Sequence, residues 1–220
     1  MTSNTLTVLS VLAMLGTGGL LLLGLAFTGW GLLLGHRLLI RRSLQATALV
    51  AGLYGATLAG VSLVSPVRVL PPGAEKYFCE LDCHLAYRIA GAEAVRSAEG
   101  GNTTWAVKLQ TRFDERTISP RRSREAPLWP NPRRLALVGS DGRWYTDSPE
   151  LTLALGEPST PITQALRPGE SYTTVLTYVL PPGVRPSGLE ICEDIFVNRL
   201  MIGHERSLLH RPVLLAVVAG

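Results

Sequence analysis

The sequence predicts an N-terminal two-helix transmembrane hairpin followed by an all-β sandwich with one short helix. Three observations carry this reading. Residues 1–74 contain no Asp or Glu, and their basic residues are Arg37, Arg41, Arg42 and Arg68. The rest of the 220-residue chain is mixed and polar, with long runs that alternate apolar and polar side chains. Gly and Pro punctuate those runs at short intervals.

The charge distribution points the same way. Of 21 Lys plus Arg, removing Arg37, Arg41 and Arg42 leaves 18 against 17 Asp plus Glu, so the net +4 rests almost wholly on those three arginines. A basic excess confined to one short segment argues for membrane topology, and no nucleic-acid partner is expected.

The hairpin spans about residues 6–35 and 44–64, within a first domain of 1–68. The first stretch is rich in Leu and Gly and uncharged. A hydrocarbon core about 30 Å thick needs roughly 20 apolar helical residues, which this run exceeds. A signal peptide would have a basic start and an apolar core about half as long. Residues His36–Ser43 are expected to form a tight connection between the helices, and their three arginines place it in the cytoplasm. Both termini then lie outside, so residues 69–220 form an extracytoplasmic, periplasmic-side domain. Small residues recur at Gly31-x-x-x-Gly35 and at Gly52, Ala56 and Gly60. That spacing suits close helix packing, either within the hairpin or against a helix of another membrane protein.

Val69–Gly73 reads as a stiff exit from the membrane, since proline restricts the backbone and glycine permits a turn. Lys76–Ala90 then alternates, with Tyr77, Cys79, Leu81, Cys83, Leu85, Tyr87 and Ile89 on one side, and predicts one long half-buried strand. After a glycine break, Thr103–Phe113 predicts a second, with Trp105, Val107, Leu109, Thr111 and Phe113 facing the core. Residues 116–134 form a loop containing Arg121, Arg122, Arg124, Arg133 and Arg134, a solvated loop or a site for an anionic lipid or glycan. Leu135–Val138, the turn Asp141–Gly142 and Arg143–Tyr145 predict a hairpin. Ser148, Pro149 and Glu150 open a short helix that ends by Gly156. Tyr172–Leu180 is a strand entered by a turn at Leu166–Glu170 and stopped by Pro181, Pro182 and Gly183. Gly188 to about Val197 and Pro212–Val218 supply the last two of around seven strands, with Asn198–Arg211 irregular between them. A domain of this size buries enough core to fold without disulfides.

The order of Asp141–Tyr145, Ser148–Glu150 and Leu166–Glu170 leading into an alternating strand resembles a widespread group of immunoglobulin-like bacterial extracytoplasmic domains that are membrane-anchored. The resemblance covers about Tyr77–Val218 and implies an immunoglobulin-like sandwich and an address, without catalytic residues. A second likeness is architectural. A two-helix hairpin ahead of an extracytoplasmic β-sandwich is similar to cytochrome c oxidase subunit two, whose copper motif contains C-x3-C. Cys79 and Cys83 keep that spacing, while Tyr87 and Ala90 stand where the motif has His and Met.

Candidate chemistry gathers around the cysteines. In a regular strand, Cys79 and Cys83 would be about 13 Å apart at Cα, beyond the roughly 7 Å a disulfide spans. Either the strand is broken between them, or Cys192 bridges to one of them, or the three stay reduced or bind metal with His84. His204 and His210 are secondary metal candidates. Their spacing of six does not match the i, i+4 pair of a zinc-protease helix. The adjacent acids Asp114–Glu115 and Glu193–Asp194 read as solvated. No nucleophile elbow, phosphate loop or dinucleotide motif is present. The expectation is a non-catalytic, membrane-anchored binding or scaffolding protein without a resident cofactor. Its partners would be the lipid bilayer and another membrane or extracytoplasmic protein. A copper-binding or redox protein is the alternative, and a lipid or glycan binder through the arginine loop is a third.

Overall fold

A computed structural model describes residues 3–77, 84–97, 101–118, 122–123, 125–132, 134–192 and 195–218. Its contacts divide the chain into two units. One comprises Met1–Pro66 with Ile195–Pro212, the other Val67–Asp194 with Val213–Gly220.

In the first unit, α1 (Ser3–Leu33) and α2 (Arg37–Val64) are both long and apolar enough to cross a membrane. The connection is only Leu34–His36, shorter than the expected His36–Ser43. Gly35 adopts φ +66° and the His36 N–H donates to the Gly31 carbonyl at 2.9 Å, so the chain reverses in three residues. Leu38, Leu39 and Ile40 then extend the second helix backwards, and Arg37, Arg41 and Arg42 lie in its first turns.

The two helices pack through Gly24 and Gly31, two turns apart on one face of α1. A Cβ at Gly31 would lie 3.0 Å from Ile40 Cγ1, and one at Gly24 would collide with Thr47 Oγ1. Between these contacts the Thr28 and Ser43 hydroxyls hydrogen-bond across the hairpin at 2.8 Å. Of the small residues singled out in the sequence, only Gly31 serves this contact. Gly35 terminates α1, a Cβ at Gly52 or Gly60 would meet nothing within 4 Å, and Ala56 is exposed.

Residues 195–212 pack with the helices, beginning with a 3-10 helix at Phe196–Leu200. The Tyr54 hydroxyl donates to the Leu200 carbonyl at 2.6 Å, and the Ser10 hydroxyl to the Ile202 carbonyl.

The second unit holds β1 (Arg68–Leu70), β2 (Lys76–Tyr77), β3 (Leu85–Ser97), β4 (Thr103–Phe113), β5 (Arg134–Gly139), β6 (Trp144–Thr146), α3 (Pro149–Leu155), β7 (Ser171–Leu180), β8 (Pro186–Cys192) and β9 (Val213–Ala216). They form two sheets, ordered β1-β9-β8-β5-β6 and β2-β3-β4-β7. All pairings are antiparallel except β1 with β9, which the sequence reading missed by treating residues 69–73 as an exit segment. The core lies between the sheets. Tyr87, Leu109 and Tyr178 from one meet Leu137, Leu189 and Leu215 from the other, all nearly or wholly excluded from solvent.

One predicted strand is corrected. Lys76 pairs with Tyr87, and Tyr77 with Ala86, in antiparallel register, so Lys76–Ala90 is not a single strand but parts of two. Cys79 and Cys83 fall in 78–83, outside the described residues. Alternation also hid the length of β3. Its register against β4 skips Ala90 and Val95, and a bulge moves inward-facing positions from odd to even numbers, so Tyr87 and Ala92 both reach the core.

The β5–β6 hairpin forms as expected. Gly142 takes φ +77° and the Tyr145 hydroxyl donates to Asp141 Oδ2 at 2.8 Å. Helix α3 starts after Ser148, whose carbonyl, not its side chain, accepts the first N–H groups, and it ends on Gly156 at φ +66°. The free edge of β7 is covered locally. Asp147 Oδ1 accepts from the Thr177 N–H at 2.8 Å, Ser159 Oγ from Val175 N–H at 2.9 Å, and Thr160 N–H donates to the Thr173 carbonyl at 3.1 Å.

Candidate functional site

Among the described residues of the sandwich, a dense cluster of titratable side chains spans β3 between β2 and the end of β4. Tyr77 comes from β2 and Glu75 from just before it, Arg112 from β4 and Asp114 from just after it, and Arg116 from the 3-10 turn Glu115–Thr117. Arg112 donates through Nε to Glu75 Oε1 at 2.9 Å and through Nη2 to Oε2 at 2.7 Å, a planar two-point pairing. The Tyr77 hydroxyl lies 2.8 Å from Glu75 Oε2 and 2.9 Å from Asp114 Oδ2, so one proton serves two carboxylates. Arg112 Nη2 approaches both that hydroxyl, at 3.1 Å, and Asp114 Oδ2, at 3.3 Å. Arg116 closes the other side, with Nε 3.1 Å from Oδ1 and Nη2 3.2 Å from Oδ2 of Asp114.

Two carboxylates thus face two guanidiniums around one phenol. Asp114, expected to be solvated, is 3% exposed and caps the 3-10 turn by accepting the Arg116 N–H. The Arg116 guanidinium holds its carboxyl far below the usual range, with Arg112 and Tyr77 adding to the effect. Arg112 lowers Glu75 likewise. Burial, reinforced by the adjoining carboxylates, pushes Tyr77 up to about 12. Sequence reasoning missed this cluster because its two halves, Glu75 with Tyr77 and Arg112 with Asp114 and Arg116, lie more than thirty positions apart and are joined only by the β2–β3–β4 register.

Beside it, His84 is 6% exposed and stacks on Phe113, with ring centroids 5.5 Å apart. Its carbonyl accepts the Asp114 N–H at 2.7 Å, and its Nδ1 meets Thr117 Oγ1. Thr117 gives its own hydroxyl proton to the Asp114 carbonyl at 2.7 Å, so Nδ1 is the donor and the tautomer is assigned by that network. His84 therefore helps anchor the turn that holds Asp114.

The remaining candidates are dispersed. Cys192 is buried at the end of β8, opposite Arg134 in the register. His204 and His210 lie in the segment that packs with the helices, where His204 Nδ1 accepts the Arg206 N–H at 3.0 Å. Among the described residues no three His, Cys, Asp or Glu side chains come together as a metal site. Of the arginine loop, Arg121, Arg124 and Arg133 lie outside the described residues, as do Glu193 and Asp194. Arg122 stands over the Phe113 ring at 5.8 Å. Arg134 pairs with the buried Glu190 at 2.8 Å and covers Trp144 at 5.3 Å. These two arginines are engaged within the domain.

The outer face of β3 and β4 is a ladder of polar pairs: Arg88 with Gln110, and Lys108 with Glu93 at 2.6 Å and Glu157 at 3.5 Å. No family model matches the chain, and no curated protein or solved structure is significantly similar to it.

Proposed function

We propose that the protein is a non-catalytic accessory subunit of a membrane complex, anchored by a two-helix hairpin and presenting an immunoglobulin-like domain on the outer side of the cytoplasmic membrane. The observation that carries this reading is the unused small-residue stripe of α2. Gly24 and Gly31 already close the hairpin, whereas Gly52, Ala56 and Gly60 lie exposed at four-residue spacing, with open space where a Cβ at either glycine would stand. Helices in lipid associate through such stripes because backbones approach closely there. A transmembrane helix of another subunit is the matching occupant.

The immunoglobulin-like reading is supported by strand order. The run β9-β8-β5-β6 matches the G-F-C-C′ sheet of that fold, and β3-β4-β7 matches A-B-E. The segment Asp147–Thr160 borders β7 where strand D would run. The chain departs from antibody domains in its cysteines, since Cys192 occupies the F position and β4 carries none.

The three arginines at the start of α2 support a cytoplasmic turn and outer termini. The polar cluster at Tyr77 fits a binding and scaffolding role, because its charges are spent on one another across β3, between β2 and the end of β4. The test is purification of the full chain from its native membranes in mild detergent. A membrane protein is expected to co-elute at fixed stoichiometry and to be lost from Gly52→Leu and Gly60→Leu, while the variants still insert. Recovery of a monomer alone from the unaltered chain would sink the proposal.

A further inference from the structure

The connection between β8 and β9 belongs with the hairpin and not with the strands it joins. We infer that this segment, Phe196–Leu209, is a membrane-embedded loop whose apolar side chains lie among the acyl chains of the outer leaflet. The inference rests on the reading of α1 and α2 as membrane-spanning.

Its attachment points lie inside the apolar spans. Ser10 falls within the candidate span Val8–Leu33, and Tyr54 within Arg37–Val64. Tyr54 precedes Val64 by ten residues (64 − 54), which at 1.5 Å per residue is about 15 Å along the helix from its end. Gly203 lies against Val61, about two turns nearer that end, so the segment runs along α2 within the span.

Hydrocarbon offers backbone groups no water, and non-helical chain survives there only when its polar atoms find protein partners. The carbonyls of Leu200 and Ile202 accept the Tyr54 and Ser10 hydroxyls. The loop closes most of its remaining turns on itself: Asn198 N–H to Ile195, Met201 N–H to Asn198, Leu208 N–H to Arg199 and His210 N–H to Ser207 carbonyls, at 2.9 to 3.3 Å. This gives Ser10 and Tyr54 a role within the candidate spans.

The outward surface is mostly apolar, with Arg199 the exposed charged side chain among its described residues. Phe196 is 70% exposed, and Leu208 and Leu209 are 56% and 57% exposed. Three large apolar side chains so displayed, on a segment fastened to a transmembrane helix, match lipid as the occupant. The charged side chains of the segment, Arg199, Glu205 and Arg206, each have a partner within the protein, as ionisable groups at membrane depth require.

The test uses the full chain in nanodiscs of phosphatidylcholine and phosphatidylglycerol, with Cys introduced singly by Leu200→Cys, Leu208→Cys, Leu22→Cys in α1 and Ser123→Cys in the sandwich. A charged, impermeant maleimide is applied and each site is read by peptide mapping, so the native cysteines stay in place. Positions 200 and 208 are expected to react at least about tenfold more slowly than 123, as position 22 does, because thiolate formation and reagent entry both fail in hydrocarbon. Rapid reaction at 200 and 208 with position 22 protected would overturn the embedded loop and leave the hairpin reading standing. Rapid reaction at position 22 would remove both. As a second measurement, permeant bimane attached at position 208 is expected to be quenched by lipids brominated in the acyl chain. Unquenched bimane overturns the inference even where labelling is slow.

Discussion

The Lys76 ammonium donates to the Ile191 carbonyl at 2.7 Å, so a charged side chain from one sheet is fixed on the backbone of the other. Lys76 is 5% exposed, and a second carbonyl, that of Val213, lies 3.5 Å away. Lys76→Met keeps most of the stem but removes the donor, leaving the buried carbonyl with less than its full complement. A loss of about 1–3 kcal/mol is expected, read as a lower denaturation midpoint of the full chain in detergent. An unchanged midpoint would show that the contact contributes nothing.

The charged cluster predicts sensitivity at both ends of the pH scale. Glu75 and Asp114 have folded pKa values below their unfolded ones, so their contribution is present above about pH 4 and fades as pH falls further. Asp114→Asn should flatten the decline in melting temperature on acidification. Tyr77 shifts the other way. Its folded value of about 12 exceeds the usual 10, so its contribution is complete below pH 10 and is lost as pH rises towards 12. Tyr77→Phe should remove that alkaline component. Equal slopes for wild type and variants would separate stability from this network.

Gly24 and Gly31 predict an asymmetry between the glycines of the hairpin. Gly31→Leu drives a side chain into Ile40, and Gly24→Leu into Thr47. Either should separate the helices, lowering the yield of an engineered crosslink between Thr28→Cys and Ser43→Cys, whose native hydroxyls touch at 2.8 Å. Gly52→Leu and Gly60→Leu should leave that yield unchanged.

Cysteine connectivity is the remaining prediction. Lys76 on the Ile191 carbonyl brings the chain that leads into residues 78–83 beside the end of β8, one residue before Cys192. Non-reducing peptide mapping is therefore expected to find Cys192 joined to Cys79 or Cys83. A Cys79–Cys83 bridge would contradict this. Stoichiometric copper abolished by Cys83→Ser would favour metal handling instead.

Periodic elements were legible because their signals are local. The apolar runs of α1 and α2, the alternation of β4 and β7, and the Asp141–Gly142 turn each depend on neighbours a few positions away. Alternation failed at Lys76–Ala90 because it carries no sign that Lys76–Tyr77 and the run from Leu85 are two antiparallel strands of opposite parity, with Lys76 and not Tyr77 lying across from Tyr87. It failed again along β3, where bulges at Ala90 and Val95 broke the period. Asp114 read as surface because adjacency with Glu115 says nothing of Arg112, Arg116 and Tyr77 converging on it.

By itself, then, the sequence determined two apolar helices, an acid-free N-terminal region and a strand-rich remainder, because hydrophobic burial leaves a periodic record in the chain. Tertiary structure alone decided that residues 195–212 pack with the helices, that Gly24 closes the hairpin while Gly52 and Gly60 do not, and that Tyr77 shares one proton between Glu75 and Asp114. Those outcomes are set by distances between positions far apart in the chain, and no local pattern encodes them.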